Sequence, residues 1–375
     1  MVAPSIEAKQ YGIKTGTRVK DAKLLCPDIV ILPPDPAKYR DVHLRLKRIL
    51  GRYTDVIAPK SIDEFVINLE GSPLLKRTDG THYTARQIKA RVKQEIGEWV
   101  CVRVGIAPNK FLAKTGAGLH KPDGLDEIHA DNALAIYRSL ELTDLCGIAT
   151  RYAARLHQVG IFTVEDLYNS SVDRLRRGFR SIMGVHWYMW IRGWESGDVI
   201  FDRKSFGNSY SLPIQAATPT ELAPILAKLV HKTAARMRTA NYQCRGVHLS
   251  VVFRDYDYWH KGAKTEKPLF DQRDIYKEAY TLLERCPYRK PVKTLAVSVF
   301  NLSPYNVQQL SLFDDEEKKA KVTQAVDAVN QRFGTYCLTP GIMVGSEELV
   351  PDRIAFGGVK ELQDYVFEDE EPPGI

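Results

Sequence analysis

The cysteines of this chain are too scattered to build anything together. Cys26, Cys101, Cys146, Cys244, Cys286 and Cys337 stand far apart with no Cys-x-x-Cys pair. That argues against a zinc finger or a disulfide framework and fits a reducing compartment. The nine histidines show no metal-ligand spacing. No apolar run approaches the ~20 residues of a membrane span; Ile29-Val-Ile-Leu32 ends at Pro33 and Pro34. The opening Met1-Val-Ala-Pro-Ser has no basic stretch followed by an apolar one, so no signal peptide is expected. The expectation is a cytoplasmic protein without membrane contact. Internal repeats and long low-complexity tracts are missing as well.

What is present is ordinary globular material with uneven charge. The chain has 375 residues, 44% of them hydrophobic, enough for several domains. Its net charge is +7. Residues 204–305 carry 16 Lys and Arg against 8 Asp and Glu, whereas residues 306–375 carry 6 against 14. A basic body with an acidic end points to a polyanionic partner, although solvated helix faces would give the same totals.

The feature that carries chemistry is Ser61-Ile-Asp-Glu64, followed about forty residues later by Gly105-Ile-Ala-Pro-Asn-Lys-Phe-Leu-Ala-Lys114. Val66, Ile67 and Leu69 follow the two acids at strand-like spacing, which places the acids at the head of a buried strand. Adjacent carboxylates there repel unless a cation neutralises them. Oxygen ligands alone suit Mg²⁺ or Mn²⁺ rather than zinc. The same two letters also fit a capped strand end with one exposed acid.

Along the chain, residues 1–34 read as a small helical piece, with helices over 6–11 and 19–25. Helices are expected over 39–50, 85–96 and 109–120, a strand-turn-strand over 54–70 and a strand over 100–106, which makes an α/β unit. Residues 129–200 change to short helices. Leu145-Cys-Gly-Ile-Ala149 followed by a helix over 150–159 and Gly160 has the pattern of a helix-hairpin-helix, with Gly147 letting backbone N–H groups approach a phosphate. Ala149 departs from the usual second glycine, and an ordinary helical turn would look similar. Arg174, Arg176, Arg177 and Arg180 add phosphate-binding capacity. Residues 203–210 read as a polar linker. Strand 209–212, helix 219–240, strand 246–254, a strand to Phe270, helix 272–285 and strand 292–302 then give β-α-β-β-α-β. The free face of that sheet is a natural nucleic-acid groove.

Ser61-Ile-Asp-Glu64, Gly105-Ile-Ala-Pro-Asn-Lys110, Ala113-Lys114, Lys121-Pro-Asp-Gly124, Glu7-Ala-Lys9 with Gly12-Ile-Lys, and Cys26-Pro-Asp ahead of Pro34 and Tyr39 together resemble the Y-family (translesion) DNA polymerases, of the bacterial polymerase IV and UmuC kind. The resemblance runs across roughly residues 1–313. It implies an α+β multidomain fold, an incomplete right hand: fingers (1–34, partial), palm (35–128, without its first strand), helix-hairpin-helix thumb (129–202) and β-α-β-β-α-β little finger (203–305). A clamp-binding peptide, a helix and an acidic tail fill 306–375.

The resemblance also implies roles. Asp63 looks like the carboxylate that bridges two Mg²⁺ ions, with Mn²⁺ able to substitute, and Glu64 like a ligand of the ion that activates the primer 3′-hydroxyl. Lys9 and Lys121 are similar to lysines that grip the incoming dNTP. Lys110, Lys114, Gly147, Arg151, Arg245 and Arg254 are candidate contacts to primer-template DNA. Gln309-Leu310-Ser-Leu312-Phe313 resembles the pentapeptide with which bacterial polymerases bind the sliding clamp, its apolar anchors filling a pocket; alternating leucines would also suit an edge strand. The pattern breaks in places. Ile6 and Lys60 stand where relatives carry tyrosines, and nothing before Ile6 supplies the Asp-bearing first strand. Two expectations follow: a start upstream of Met1, or a catalytically inactive accessory protein or DNA-binding adaptor tethered to the clamp.

Overall fold

The computed structural model describes residues 2–197, 203–305, 316–334, 336–346 and 349–350. The chain divides into two compact units between Val199 and Ile200.

The first unit opens with α1 (Ile6–Gln10) and α2 (Val19–Leu25). Ser5 caps α1, accepting from the Ala8 N–H. The longer α3 (Pro36–Leu50) starts at Asp35, whose carboxylate accepts from the N–H groups of Ala37 and Lys38. Pro36 at the first position fits, since its missing donor is not needed there. A hairpin follows, β1 (Ile57–Pro59) against β2 (Phe65–Ile67), antiparallel. After α4 (Gly80–Glu95) come β3 (Val104–Ile106), α5 (Lys110–Leu119) and β4 (Leu125–Glu127). β3 and β4 pair in parallel with α5 as the crossover. Ile49, Leu50, Ile88 and Val92 form the core beneath the hairpin.

Three sequence expectations change here. The strand after the acids is only three residues long and half-buried, and Leu69 lies beyond its end, half-buried as well. The strand expected from residue 100 begins at Val104, and α4 begins five residues earlier than periodicity placed it. Among the described residues each small sheet has two strands, so neither β2 nor β3 is covered on both edges.

Short helices complete this unit: α6 (Ala130–Arg138), α7 (Thr150–Gln158), α8 (Val164–Asn169), α9 (Val172–Phe179) and α10 (Met183–Trp190). Their core includes Leu145, Ile148, Leu156, Leu167, Phe179 and Trp187, and Phe111 of α5 joins it edge-on to Trp187, centroids 4.8 Å apart.

The second unit is β5 (Ser205–Ser211), α11 (Pro219–Thr239), β6 (Tyr242–Phe253), β7 (Tyr258–Leu269), α12 (Gln272–Glu284) and β8 (Val292–Pro304). The sheet order is β5-β8-β6-β7, antiparallel throughout, the expected split βαβ arrangement. The polar stretch read as a linker is therefore mostly a strand. Phe206 and Tyr210 point into the core while the serines and Gly207 between them face outward, so the alternation is real but carried by two apolar residues. Val247, Leu249, Val251, Val297 and Val299 line the inner face against Leu226, Leu229 and Leu282 of the helices.

A further helix, α13 (Glu316–Phe333), docks on this unit through Asp327, which accepts from the buried Arg238 at 2.5 and 2.7 Å. Lys228 of α11 is buried as well; its ammonium donates to the Ser346 carbonyl at 3.0 Å and lies 4.8 Å from the Tyr336 ring centre.

Candidate active site

Asp63 and Glu64 occupy the turn of the β1–β2 hairpin. The N–H groups of Lys60 and Ser61 donate to the Glu64 carbonyl at 2.8 and 3.2 Å, closing the turn. Ile62, 4% exposed, plugs it into the protein. The buried His43 of α3 meets the Ile62 carbonyl through Nδ1 at 2.8 Å and stacks on Phe65, centroids 4.7 Å apart. With Ile62 held inward, the two acids that follow face out. Asp63 is exposed, and its Oδ1 accepts from the Ser61 hydroxyl at 2.6 Å. Glu64 is half-buried, and both its oxygens accept from the Lys114 ammonium, at 2.7 and 2.6 Å.

Lys114 arrives from α5, whose position is fixed twice over. Asn109 caps the helix, accepting from the Leu112 N–H at 2.7 Å, and its amide donates to the Trp190 and Trp194 carbonyls at 2.8 and 3.1 Å. Gly105 lets the helix touch β3: a Cβ there would fall 1.8 Å from the Ala113 carbonyl oxygen. Burial works against the Lys114 charge, but the Glu64 carboxylate and the neighbouring Cys146 thiol outweigh it and raise its pKa above the ordinary lysine value. Lys110, one turn earlier, is committed to Glu195: its Nζ lies 3.2 Å from one carboxylate oxygen and its N–H donates to the other at 3.2 Å.

The acid pair suits a hard divalent cation. Mg²⁺ is bound through one or two carboxylates, with waters and substrate phosphates supplying the rest. Asp63 and Glu64 supply oxygen donors of that kind at an exposed turn. Among the described residues no group of three or more His, Cys, Asp and Glu side chains converges.

Cys146 belongs to the turn ahead of α7. Gly147 has φ +105°, a conformation that favours glycine, and its exposed backbone stands beside the uncapped N-terminus of α7. In the second unit the open face of the sheet carries Ser209 from β5, Ser298 from β8, His248 from β6, and Tyr258, His260 and Lys264 from β7, a small-residue, polar platform.

Family models match over both units: the impB/mucB/samB family over residues 1–117, and the C-terminal domain of that family over residues 203–312. DNA polymerase IV of Moorella thermoacetica is 32% identical over 341 residues, 89% of this chain and 84% of that protein. The chain belongs to the Y family of DNA polymerases.

Other Y-family relatives agree. DNA polymerase IV of Pelotomaculum thermopropionicum is 29% identical over 358 residues, 94% of this chain and 88% of the relative. Among solved structures, a Y-family polymerase chimera of Dbh and Dpo4 is similar with a TM-score of 0.67 and 24% identity, covering 79% of this chain and 85% of that one. An insertion ternary complex of Dbh DNA polymerase has a TM-score of 0.53 at 23% identity, over 80% of this chain and 86% of that one. At these identities the solved structures establish the α+β polymerase fold.

Within this Y-family chain the candidate residues fall into three groups. Asp63, Glu64 and Lys114 come together. Lys9, Lys121 and Arg151 stand exposed, and their side chains make no hydrogen bond or ion pair among the described residues. Arg245 is exposed where β6 shifts register, open to solvent. Lys110 and Arg254 are occupied: the Arg254 guanidinium donates to the carbonyls of Leu212 and Ile214 at 3.2 and 3.0 Å, pinning the loop after β5. Arg174 likewise spends its donors on the Val159 and Gly160 carbonyls, both at 2.7 Å. Gln309, Leu310, Leu312 and Phe313 lie outside the described residues. Sequence reasoning missed His43, Asn109 and Cys146. Asn109 was legible as an N-cap ahead of an apolar helix; the other two act through contacts distant in sequence.

Proposed function

We propose that this chain is a translesion DNA polymerase that transfers a nucleotide from dNTP to a primer 3′-hydroxyl at Asp63 and Glu64. The observation that carries the reading is the hairpin turn that sets an exposed Asp63 and a half-buried Glu64 side by side next to α5, in a chain of this family. The primer 3′-oxygen forms a bond to the α-phosphorus, the bond to the bridging oxygen breaks, and pyrophosphate leaves. Two Mg²⁺ ions held by this turn, with Mn²⁺ as a substitute, would lower the pKa of the attacking hydroxyl and offset developing charge.

The remaining roles are part of the same proposal. Lys9 and Lys121 are free to neutralise the triphosphate and the leaving pyrophosphate. The Gly147 turn and Arg151 offer backbone and side-chain donors to a DNA phosphate. Arg245 and the open sheet face of the second unit hold the duplex without reading its sequence, as tolerance of damaged templates requires. Gln309, Leu310, Leu312 and Phe313 tether the chain to a sliding clamp, with action in the cytoplasm.

Primer extension on intact and abasic templates tests this. Mg²⁺- or Mn²⁺-dependent extension that Asp63→Ala abolishes is the expected result. DNA binding that weakens with salt, without nucleotide turnover, would identify a DNA-binding adaptor instead.

A further inference from the structure

The Lys114 ammonium occupies one side of the Glu64 carboxylate, the group proposed to hold a metal ion. Both carboxylate oxygens already accept from it, at 2.7 and 2.6 Å. Mg²⁺ binds oxygen at ~2.0–2.1 Å, so a cation on either oxygen would face the ammonium at close range, and two positive charges that near repel. The pair is partly open to water. The Lys114 side chain is 42% exposed and that of Glu64 34%, so the lysine can swing into water with little loss of packing.

Its backbone has no such freedom. The Asn109 cap and the Gly105 contact hold α5 against β3, so the ammonium remains within a side chain's length of the turn. Lys110, one turn earlier, already has a carboxylate partner in Glu195. On its other side Lys114 borders the Cys146 thiol, next to Gly147 in the turn proposed to meet DNA.

We propose that Lys114 is an internal counter-ion that competes with the divalent cation for Glu64. The inference rests on the metal reading of Asp63 and Glu64. Metal binding then requires release of Lys114, and a substrate triphosphate or DNA phosphate favours that release by giving the freed ammonium another anion. Metal and polyanionic substrate therefore load cooperatively, and the coupling runs both ways. Lys114 is a positioning residue for the site, not a group that touches the reacting atoms.

Mn²⁺ binding, followed through the electron paramagnetic resonance of the free ion, tests this on the full chain without DNA or nucleotide. Lys114→Met is expected to tighten Mn²⁺ binding about five-fold or more. Lys114→Arg, which keeps the charge, is expected to bind like the natural protein. Added dCTP should strengthen Mn²⁺ binding by a larger factor in the natural protein than in Lys114→Met, after correction for Mn²⁺ held by free nucleotide. Thermal melts establish that each variant is folded, and Lys114→Gln replaces Lys114→Met if that variant is not. Unchanged or weaker Mn²⁺ binding in the folded neutral variant would overturn the proposal. Glu64→Gln separates the two claims: if it leaves both Mn²⁺ binding and primer extension intact, the metal reading itself falls.

Discussion

Gly105 shows how one residue can hold a site it never touches. An added Cβ would press on the Ala113 carbonyl at 1.8 Å, so α5 would have to move away from β3 and carry Lys114 with it. Gly105→Ala should cost about 2–3 kcal/mol, the upper part of the usual range for forcing a methyl into a packed contact. Gly118, in the same helix, has nothing within 4 Å of an added Cβ and serves as the control; Gly118→Ala should gain up to about 1 kcal/mol from helix propensity. Denaturant unfolding of the two variants reads the difference, and equal stability would contradict the close packing. The acids themselves were legible, because two neighbouring carboxylates before an apolar run pose an electrostatic problem that the sequence states openly. The Lys114 answer was not, because it comes from fifty residues away.

Elements were legible where periodicity was strong. The helices over 19–25, 36–50 and 219–239 match their apolar spacing closely. β5 was misread because just Phe206 and Tyr210 mark its inner face. The docking of α13 could not be read at all, since it rests on contacts distant in sequence such as that between Arg238 and Asp327, 89 residues apart. Neighbouring strands β6 and β7 bring His248 and His260 together, Nε2 to Nδ1 at 3.2 Å, and Tyr258 stacks parallel to His260. Burial, and then the charge of His260, depress the His248 pKa below the ordinary imidazole value. The folded state therefore binds fewer protons than the unfolded one in that window, so the contribution of His248 to stability is complete above the unfolded value of ~6.5 and is lost as pH falls from there through the lower folded value. Unfolding midpoints measured between pH 5 and pH 8 should fall less steeply toward acid in His248→Gln than in the natural protein. An identical pH dependence would mean that His248 is not the group responsible.

At the scale of the whole molecule, the chain joins a unit that carries the acids to a second unit with an open sheet face, and family models match within each. The charge of the basic 204–305 segment left a polyanionic partner and solvated helix faces equally open, and it is membership of the family that favours the first. The central claim is that nucleotide transfer happens at the hairpin turn. Incorporation of a single dNTP into a primer-template, with Mg²⁺ and under single-turnover conditions, tests it most directly in the natural protein, Asp63→Asn and Glu64→Gln. Both variants keep the shape of the side chain and remove its charge. The account predicts measurable incorporation by the natural protein and a loss of 10³-fold or about that in each variant, the scale set by removing a group that stabilises transition-state charge, with DNA affinity retained. Incorporation that persists unchanged in both variants, or is absent from the natural protein, would contradict it.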